Sequence, residues 1–295
     1  MYDALSNFCD AIRAAGLEPP DVIEPGTLHR FPGNSKRPSN RAGWCLLFDN
    51  RRGGCFGDWS TGLSETWQAE RDKPYSRAER AAFAQRVEVA KRRAETERRT
   101  RQANAANRAA AIWNPATPAP GNHPYLIRKR IQPHGARLHK DALTLPILDF
   151  SGRLTSLQFI RTDGGKALLS GGRKQGCFIP VAGDMKLSTS IIICEGWATG
   201  CTLAEDDPTA LVLAAIDSGN LMPVAMAARN RWPSAKLVIA GDDDRLTAGN
   251  PGATKSKAAA IASGALLALP QWPENAPEHL TDFNDLVVWL GGHGV

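Results

Sequence analysis

The stretch Ser190-Ile191-Ile192-Ile193-Cys194-Glu195-Gly196-Trp197-Ala198-Thr199-Gly200 decides how the rest of the chain is read. Its short, near-continuous apolar run is what a strand buried on both faces of a parallel sheet requires. A single acid, Glu195, stands where the run stops. Two similar runs follow, Ala210-Leu211-Val212-Leu213 and Lys236-Leu237-Val238-Ile239-Ala240, and Ala265-Leu266-Leu267-Ala268-Leu269 supplies a fourth. Helical stretches separate them at 197–205, 221–231 and 253–262, and a closing helix is expected over 285–290. Strands alternating with helices call for an α/β sheet with right-handed crossovers.

Ligands of open α/β sheets bind beyond the carboxyl ends of the strands, and three acidic features fall there. Glu195 follows the first strand, Asp242-Asp243-Asp244 the third, and Thr281-Asp282-Phe283-Asn284-Asp285 comes after the fourth. Acids at such positions commonly cap turns and helices, and any one of them alone is read that way. Gathered at one edge they repel one another and require a cation. Oxygen donors of this kind suit Mg²⁺ or Mn²⁺, which keep several waters and bridge to phosphates. Two such ions could serve the attacking and leaving oxygens of a phosphoryl transfer.

Strand-Glu195-Gly196-helix, followed by strand-Asp242-x-Asp244, resembles the Toprim domain of primases, topoisomerases and some nucleases. Glu195-Gly196-Trp197-Ala198-Thr199-Gly200 and Thr281-Asp282-Phe283-Asn284-Asp285-Leu286 further resemble the primases of conjugative plasmids, satellite phages and related mobile elements. So do His123-Pro124-Tyr125-Leu126, Ser156-Leu157-Gln158-Phe159-Ile160, Gly164-Gly165-Lys166 and Ser170-Gly171-Gly172 upstream. The resemblance covers residues 120–295 well and the first 70 loosely. It implies that Glu195 is the catalytic glutamate and a metal ligand, and that Asp242 and Asp244 are the metal-binding pair. It also implies that Asp282, with Asp285 less securely matched, forms the trailing acidic motif. Asp243 fills a variable position. The activity implied is synthesis of short RNA primers on single-stranded DNA. Template and nucleoside triphosphates are then the substrates, with a separate helicase or replication initiator as partner.

The chain before this core divides by composition. Residues 1–70 are rich in Gly, Pro and aromatics, and read as a small β-rich module after a short helix. Residues 71–115 form a basic helical connector. From Ser76 to Trp113 there is no Gly or Pro, and Ser76 with Glu79 is a capping box. Pro115, Pro118 and Pro120 end that helix. Residues 116–186 alternate apolar and polar positions and read as a β-rich subdomain, leaving 187–295 as the domain that resembles Toprim.

The 295 residues carry 36 Lys and Arg against 30 Asp and Glu, a net charge of +6. Ten basic and four acidic residues lie between Ser76 and Trp113, so that segment holds the whole surplus. A solvated face is the usual reading of a charge run, but an excess this local is also the footprint of a polyanion binder. Lys91, Arg92, Arg93, Arg98, Arg99 and Arg101 are the candidates for nucleic-acid contact. Lys129, Lys166, Arg173 and Lys174, on or beside Gly-rich loops, are candidates for nucleotide or template contact. Gly171-Gly172-Arg173-Lys174 is no Walker A loop, because Lys-Ser/Thr does not follow the second glycine as required.

His29, Cys45 and Cys55 lack the paired spacing of a zinc ribbon, so zinc is not expected. Trp44, Phe48, Phe56 and Trp59 suit either the core of the N-terminal module or stacking on bases; core packing is the commoner use. No apolar run approaches the roughly 20 residues of a membrane span. The opening residues lack a secretory layout, and six cysteines are too few for a disulfide scaffold, so a cytoplasmic setting is expected. Two rivals share the acids: a metal-dependent nuclease, which nicks DNA without nucleotides, and a non-catalytic single-strand-binding accessory protein, which yields no product.

Overall fold

A computed structural model describes residues 4–71, 73–186 and 188–292. The chain divides into two compact units at Thr100/Arg101.

The first unit opens with helix α1 (Ala4–Ala14), followed by strands β1 (His29–Phe31), β2 (Gly43–Leu47), β3 (Gly53–Asp58) and β4 (Leu63–Gln68). The strands pair antiparallel in chain order. Period-2 alternation sorts β2 onto two faces. Cys45 and Leu47 join Phe8, Ile12, Phe31 and Phe56 in one cluster; Trp44, Leu46 and Phe48 join Cys55, Ala90 and Ala94 in the other. Ala90 and Ala94 lie one turn apart on helix α2 (Arg77–Trp113), and their small side chains let it settle closely on the sheet. The capping box forms: the Glu79 N–H donates to Ser76 Oγ (3.2 Å) and the Ser76 N–H to Glu79 Oε2 (2.8 Å). Trp44, Phe48 and Phe56 are core residues, while Trp59 is half-buried with the Arg30 guanidinium 3.8 Å over its ring. Cys45 and Cys55 sit in different clusters, and burial pushes their thiols up to about 12 and about 11. They do not converge on a shared site.

In the second unit β5 (Thr117–Pro118), helix α3 (Pro124–Lys129), β6 (Arg137–His139), β7 (Ala142–Leu148), β8 (Leu154–Ile160) and β9 (Lys166–Leu168) form an antiparallel meander with one helix. Then come β10 (Ile179–Ala182), β11 (Ser190–Cys194), α4 (Trp197–Asp206), β12 (Leu211–Ala214), α5 (Ser218–Arg231), β13 (Lys236–Ala240), α6 (Pro251–Ser263), β14 (Leu266–Ala268) and α7 (Phe283–Leu290). The second sheet has the order β10-β12-β11-β13-β14. Its four later strands are parallel, as the apolar runs require. The fifth, β10, pairs antiparallel with β12. It comes from the stretch read as the middle subdomain, so the sheet is larger by one edge strand than the sequence pattern indicates.

Helix α4 covers one face of this sheet, with Trp197, Ala198 and Cys201 packed beside Leu143, Leu145 and Ile160 of the meander. Helices α5 and α6 cover the other, through Leu221, Val224, Ala225, Ala259 and Ala260. The chain leaves β11 toward β12 on one side and crosses to β13 on the other. The carboxyl ends of β11 and β13 therefore form the topological switch point, the edge at which open α/β sheets take their ligands.

Candidate active site

Strands β11 and β13 are adjacent and in parallel register, with Cys194 opposite Ala240. Their next residues leave the sheet side by side, about 4.8 Å apart. Glu195 thus emerges next to Gly241, and Asp242 follows immediately. The Asp242 carboxyl is in unusual surroundings. Burial, then the charges of Glu195, Asp282 and Asp244, push it from the ordinary 3.8 up to about 8, against the pull of Lys166. Its Oδ1 is buried with no hydrogen-bond partner among the described residues. Burial also raises Glu195, with Asp217 and Asp244 adding to the effect; the Ser218 backbone N–H and Lys255 oppose it.

The other acids are held by hydrogen bonds. Asp244 Oδ2 accepts from the Gly252 N–H (2.9 Å) at the first turn of α6. A Cβ on Gly252 would stand 2.7 Å from the Asp242 carbonyl oxygen and 2.8 Å from Asp244 Oδ2, so only glycine lets the helix approach this loop. Asn250 caps α6 in the left-handed region and fastens the acidic loop. Its Oδ1 accepts from the Asp244 N–H (2.8 Å) and the Ala253 N–H (3.2 Å), and its amide donates to Asp243 Oδ1 (2.6 Å). Asp243 faces away from the cluster, accepting also from Trp272 Nε1 (3.0 Å). Asp282 caps α7 by accepting from the Asp285 N–H (2.8 Å), and its other oxygen accepts from Thr199 Oγ1 (3.1 Å) at the start of α4. Asp282 therefore fills the ordinary capping role and also contributes charge to Asp242.

Lys129 and Asp285 differ from expectation. Lys129 is the last residue of α3 rather than part of a Gly-rich loop, and its ammonium donates to Asp285 Oδ1 (3.0 Å). The second Asp285 oxygen accepts from the Thr281 N–H (3.2 Å). The pair neutralises itself, which removes both from the free ligands of the cluster. Arg173 donates to Asp149 (2.7 Å) and Lys174 to Asp217. Lys166 is exposed on β9 and near enough to act on Asp242.

Along α2, Arg92 donates to Glu88 (2.9 Å), Arg98 Nη2 and Arg99 Nε donate to Glu95 (3.2 and 2.8 Å), and Arg93 donates to the Gly26 carbonyl (2.6 Å). Lys91 and Arg101 are half-buried. The helix is thus less of an open basic stripe than its composition indicates.

Several supporting residues escaped the sequence reading. Asn220 is buried and donates to the carbonyls of Lys174, Cys177 and Ala215, each at 2.9 Å, while accepting from the Gly176 N–H (2.8 Å). It binds the loop carrying Lys174 to the end of β12. Ile216, with φ of 80°, is held in the left-handed region just before Asp217. For a β-branched residue this backbone is strained.

Among the described residues, no three His, Cys, Asp or Glu side chains are gathered closely enough to enclose a metal unaided. The donor set still fits a hard divalent ion. An orphaned carboxylate oxygen on Asp242, in the field of Glu195, Asp244 and Asp282, suits an ion that takes one or two protein oxygens and completes its shell with water and phosphate. Lys166 provides a balancing positive charge.

Residues 190–291 match the family model of the Toprim domain. The matched stretch holds the parallel strands β11 to β14 and the acids Glu195, Asp242, Asp244 and Asp282. Over nearly its whole length the chain is also similar to two curated proteins of Escherichia coli, both named DNA primase TraC. One is 34% identical over 281 residues, covering 91% of this chain and 26% of the relative. The other is 32% identical over 281 residues, covering 89% and 19%. The chain therefore spans about a quarter or less of these relatives. Among solved structures, the primase fragment of the bacteriophage T7 primase-helicase protein aligns at a TM-score of 0.38 and 12% identity, covering 90% of this chain and 95% of that one. The DnaG primase catalytic domain bound to single-stranded DNA aligns at 0.37 and 14%, covering 59% and 56%.

Proposed function

We propose that the chain is a DNA primase that makes short RNA primers on single-stranded DNA by metal-dependent nucleotidyl transfer. It would serve the replication of a plasmid, phage or integrative element in the cytoplasm, beside a separate helicase or initiator. The observation that carries this reading is the gathering of Glu195, Asp242, Asp244 and Asp282 at the switch point of the sheet, with one carboxylate oxygen left unpartnered. The similarity to DNA primases over nine-tenths of the chain supports it. Among the described residues, no helix is long and apolar enough to cross a membrane.

In the reaction, the 3′-hydroxyl of the growing primer attacks the α-phosphate of the incoming nucleotide. The new bond joins O3′ to phosphorus, the bond to the β-phosphate oxygen breaks, and pyrophosphate leaves. Glu195 is suited to receive the hydroxyl proton, because burial raises its basicity above that of an ordinary carboxylate. Asp242 and Asp244 would hold Mg²⁺ or Mn²⁺, with Glu195 and Asp282 contributing negative field. When bound, the ion lowers the hydroxyl pKa and stabilises charge on the phosphate. Lys166 can receive the triphosphate, and Lys174 can do so once it exchanges Asp217 for a phosphate oxygen.

The test is incubation with mixed-sequence single-stranded DNA, Mg²⁺ and labelled nucleotides, with products resolved by length. Primers made by the native chain and absent with Glu195→Gln and Asp242→Asn are expected. Metal-dependent nicking without nucleotides would indicate a nuclease instead. Salt-sensitive DNA binding without any product would indicate an accessory protein.

A further inference from the structure

Within the first unit, a cavity of about 260 Å³ lies between the sheet and helix α2, lined by Trp44, Trp59, Gly62, Leu63, Ser64, Lys91, Ala94, Glu95 and Arg98. The indole of Trp44 and the methyl of Ala94 are buried and form an apolar lining. Trp59 is half-buried, and Arg30 covers one face of its ring. Lys91 is half-buried and makes no ion pair among the described residues. Glu95 is held by Arg98 and Arg99, both at 2.8 Å. Against a desolvation that favours the neutral acid, these two guanidiniums keep it below the usual carboxylate range.

The combination selects a ligand class. A free anion would meet the Glu95 carboxylate, and a free cation would meet Lys91 and Arg98. A nucleobase on a phosphate backbone satisfies both: its π-face suits an indole, an exocyclic amine suits a carboxylate acceptor, and the adjoining phosphate suits an ammonium. Thymine has no such amine, whereas cytosine presents N4–H₂ to an Asp or Glu acceptor.

We propose that this cavity receives one unstacked base of single-stranded DNA, with cytosine preferred over thymine through Glu95, stacking on Trp59 and phosphate contact from Lys91. The inference deepens the primase reading, since it names a base-selective contact for its template, but it requires no metal and no Toprim acid.

The test is fluorescence anisotropy of the full chain with labelled dC12 and dT12 in low salt with EDTA. The native chain is expected to bind dC12 about fivefold more tightly, roughly one hydrogen bond's worth. Glu95→Gln should bring that ratio to about one while leaving dT12 binding within about twofold. Trp59→Ala should weaken both by about tenfold, and Trp59→Phe should recover most of the loss, which separates stacking from misfolding. Equal binding of the two oligonucleotides by the native chain, or a preference unchanged in Glu95→Gln, would overturn the pocket while leaving primer synthesis intact. Failure to bind either oligonucleotide would overturn the pocket, whereas the primase reading stands or falls with the primer-synthesis assay.

Discussion

Two charged regions of this chain are built on opposite terms. Along α2 four neighbouring guanidiniums have partners: Arg92 on Glu88, Arg98 and Arg99 on Glu95, Arg93 on a backbone carbonyl. At the carboxyl edge of the parallel sheet, like charges are pressed together, burial raises Asp242 and Glu195, and one oxygen is left without a partner. The first arrangement is relaxed and the second is frustrated. A fold retains such frustration where a ligand relieves it, and pKa values displaced by burial and neighbouring charge are how chemical sites differ from solvated surface. A surplus of charge in composition is therefore a weaker pointer to chemistry than a small cluster whose members lack partners.

The largest effect expected is at the frustrated edge. Glu195→Gln and Asp242→Asn should each lower primer synthesis by about a hundredfold or more, read by resolving labelled products. Asp242→Asn should also raise the thermal midpoint of the metal-free protein at pH 8, because it removes a buried charge that has no partner. A lower midpoint would mean that Asp242 is an ordinary structural acid.

The pH dependence separates the regions next. Asp242 has a folded value near 8 against an ordinary 3.8, so between those limits the folded chain holds a proton that the unfolded chain has released. Stability from this group is complete below about pH 4 and is lost as pH rises through about 8. In EDTA, urea unfolding should therefore show the protein weakening from pH 6 to pH 8, and Asp242→Asn should flatten that slope. Added Mg²⁺ should restore more stability at pH 8 than at pH 6, since the ion replaces the proton.

How much of this could be read beforehand follows the same division between local and distant causes. The parallel strands announce themselves because burial on both faces leaves no polar position in the run, as in Ile191 to Ile193. Glu195, Asp242 and Asp244 are legible as candidates because each lies within four residues of a strand end. Strand β10 escaped notice because Ile179-Pro180-Val181-Ala182 is short, contains proline and joins the sheet only through its non-local pairing with β12. Asn250 and Asn220 act on backbone groups that only the folded chain brings near them. The ion pair of Lys129 with Asp285 joins residues 156 positions apart, beyond the reach of any spacing rule.

A smaller effect tests the support beneath the acids. Gly252→Ala puts a methyl into the Asp242–Asp244 loop and should lower stability by about 1–3 kcal/mol, the usual range for overpacking. The loss in primer synthesis should exceed what the unfolded fraction explains. Equal activity at normal stability would show that the loop adapts freely. The smallest effect belongs to the relaxed region. Glu88→Ala, which frees Arg92 on the helix surface, should change stability by less than about 0.5 kcal/mol. A loss of several kcal/mol in denaturant unfolding would reverse the contrast drawn between the two regions.

The most direct measurement is Mn²⁺ binding by the metal-free chain, followed by electron paramagnetic resonance, in the native protein and in Asp242→Asn. Binding in the native chain, weakened at least about tenfold by the single substitution as expected for loss of a direct ligand oxygen, is the predicted result. Mn²⁺ bound equally by both proteins would place the ion elsewhere and contradict the assignment of this sheet edge as its site.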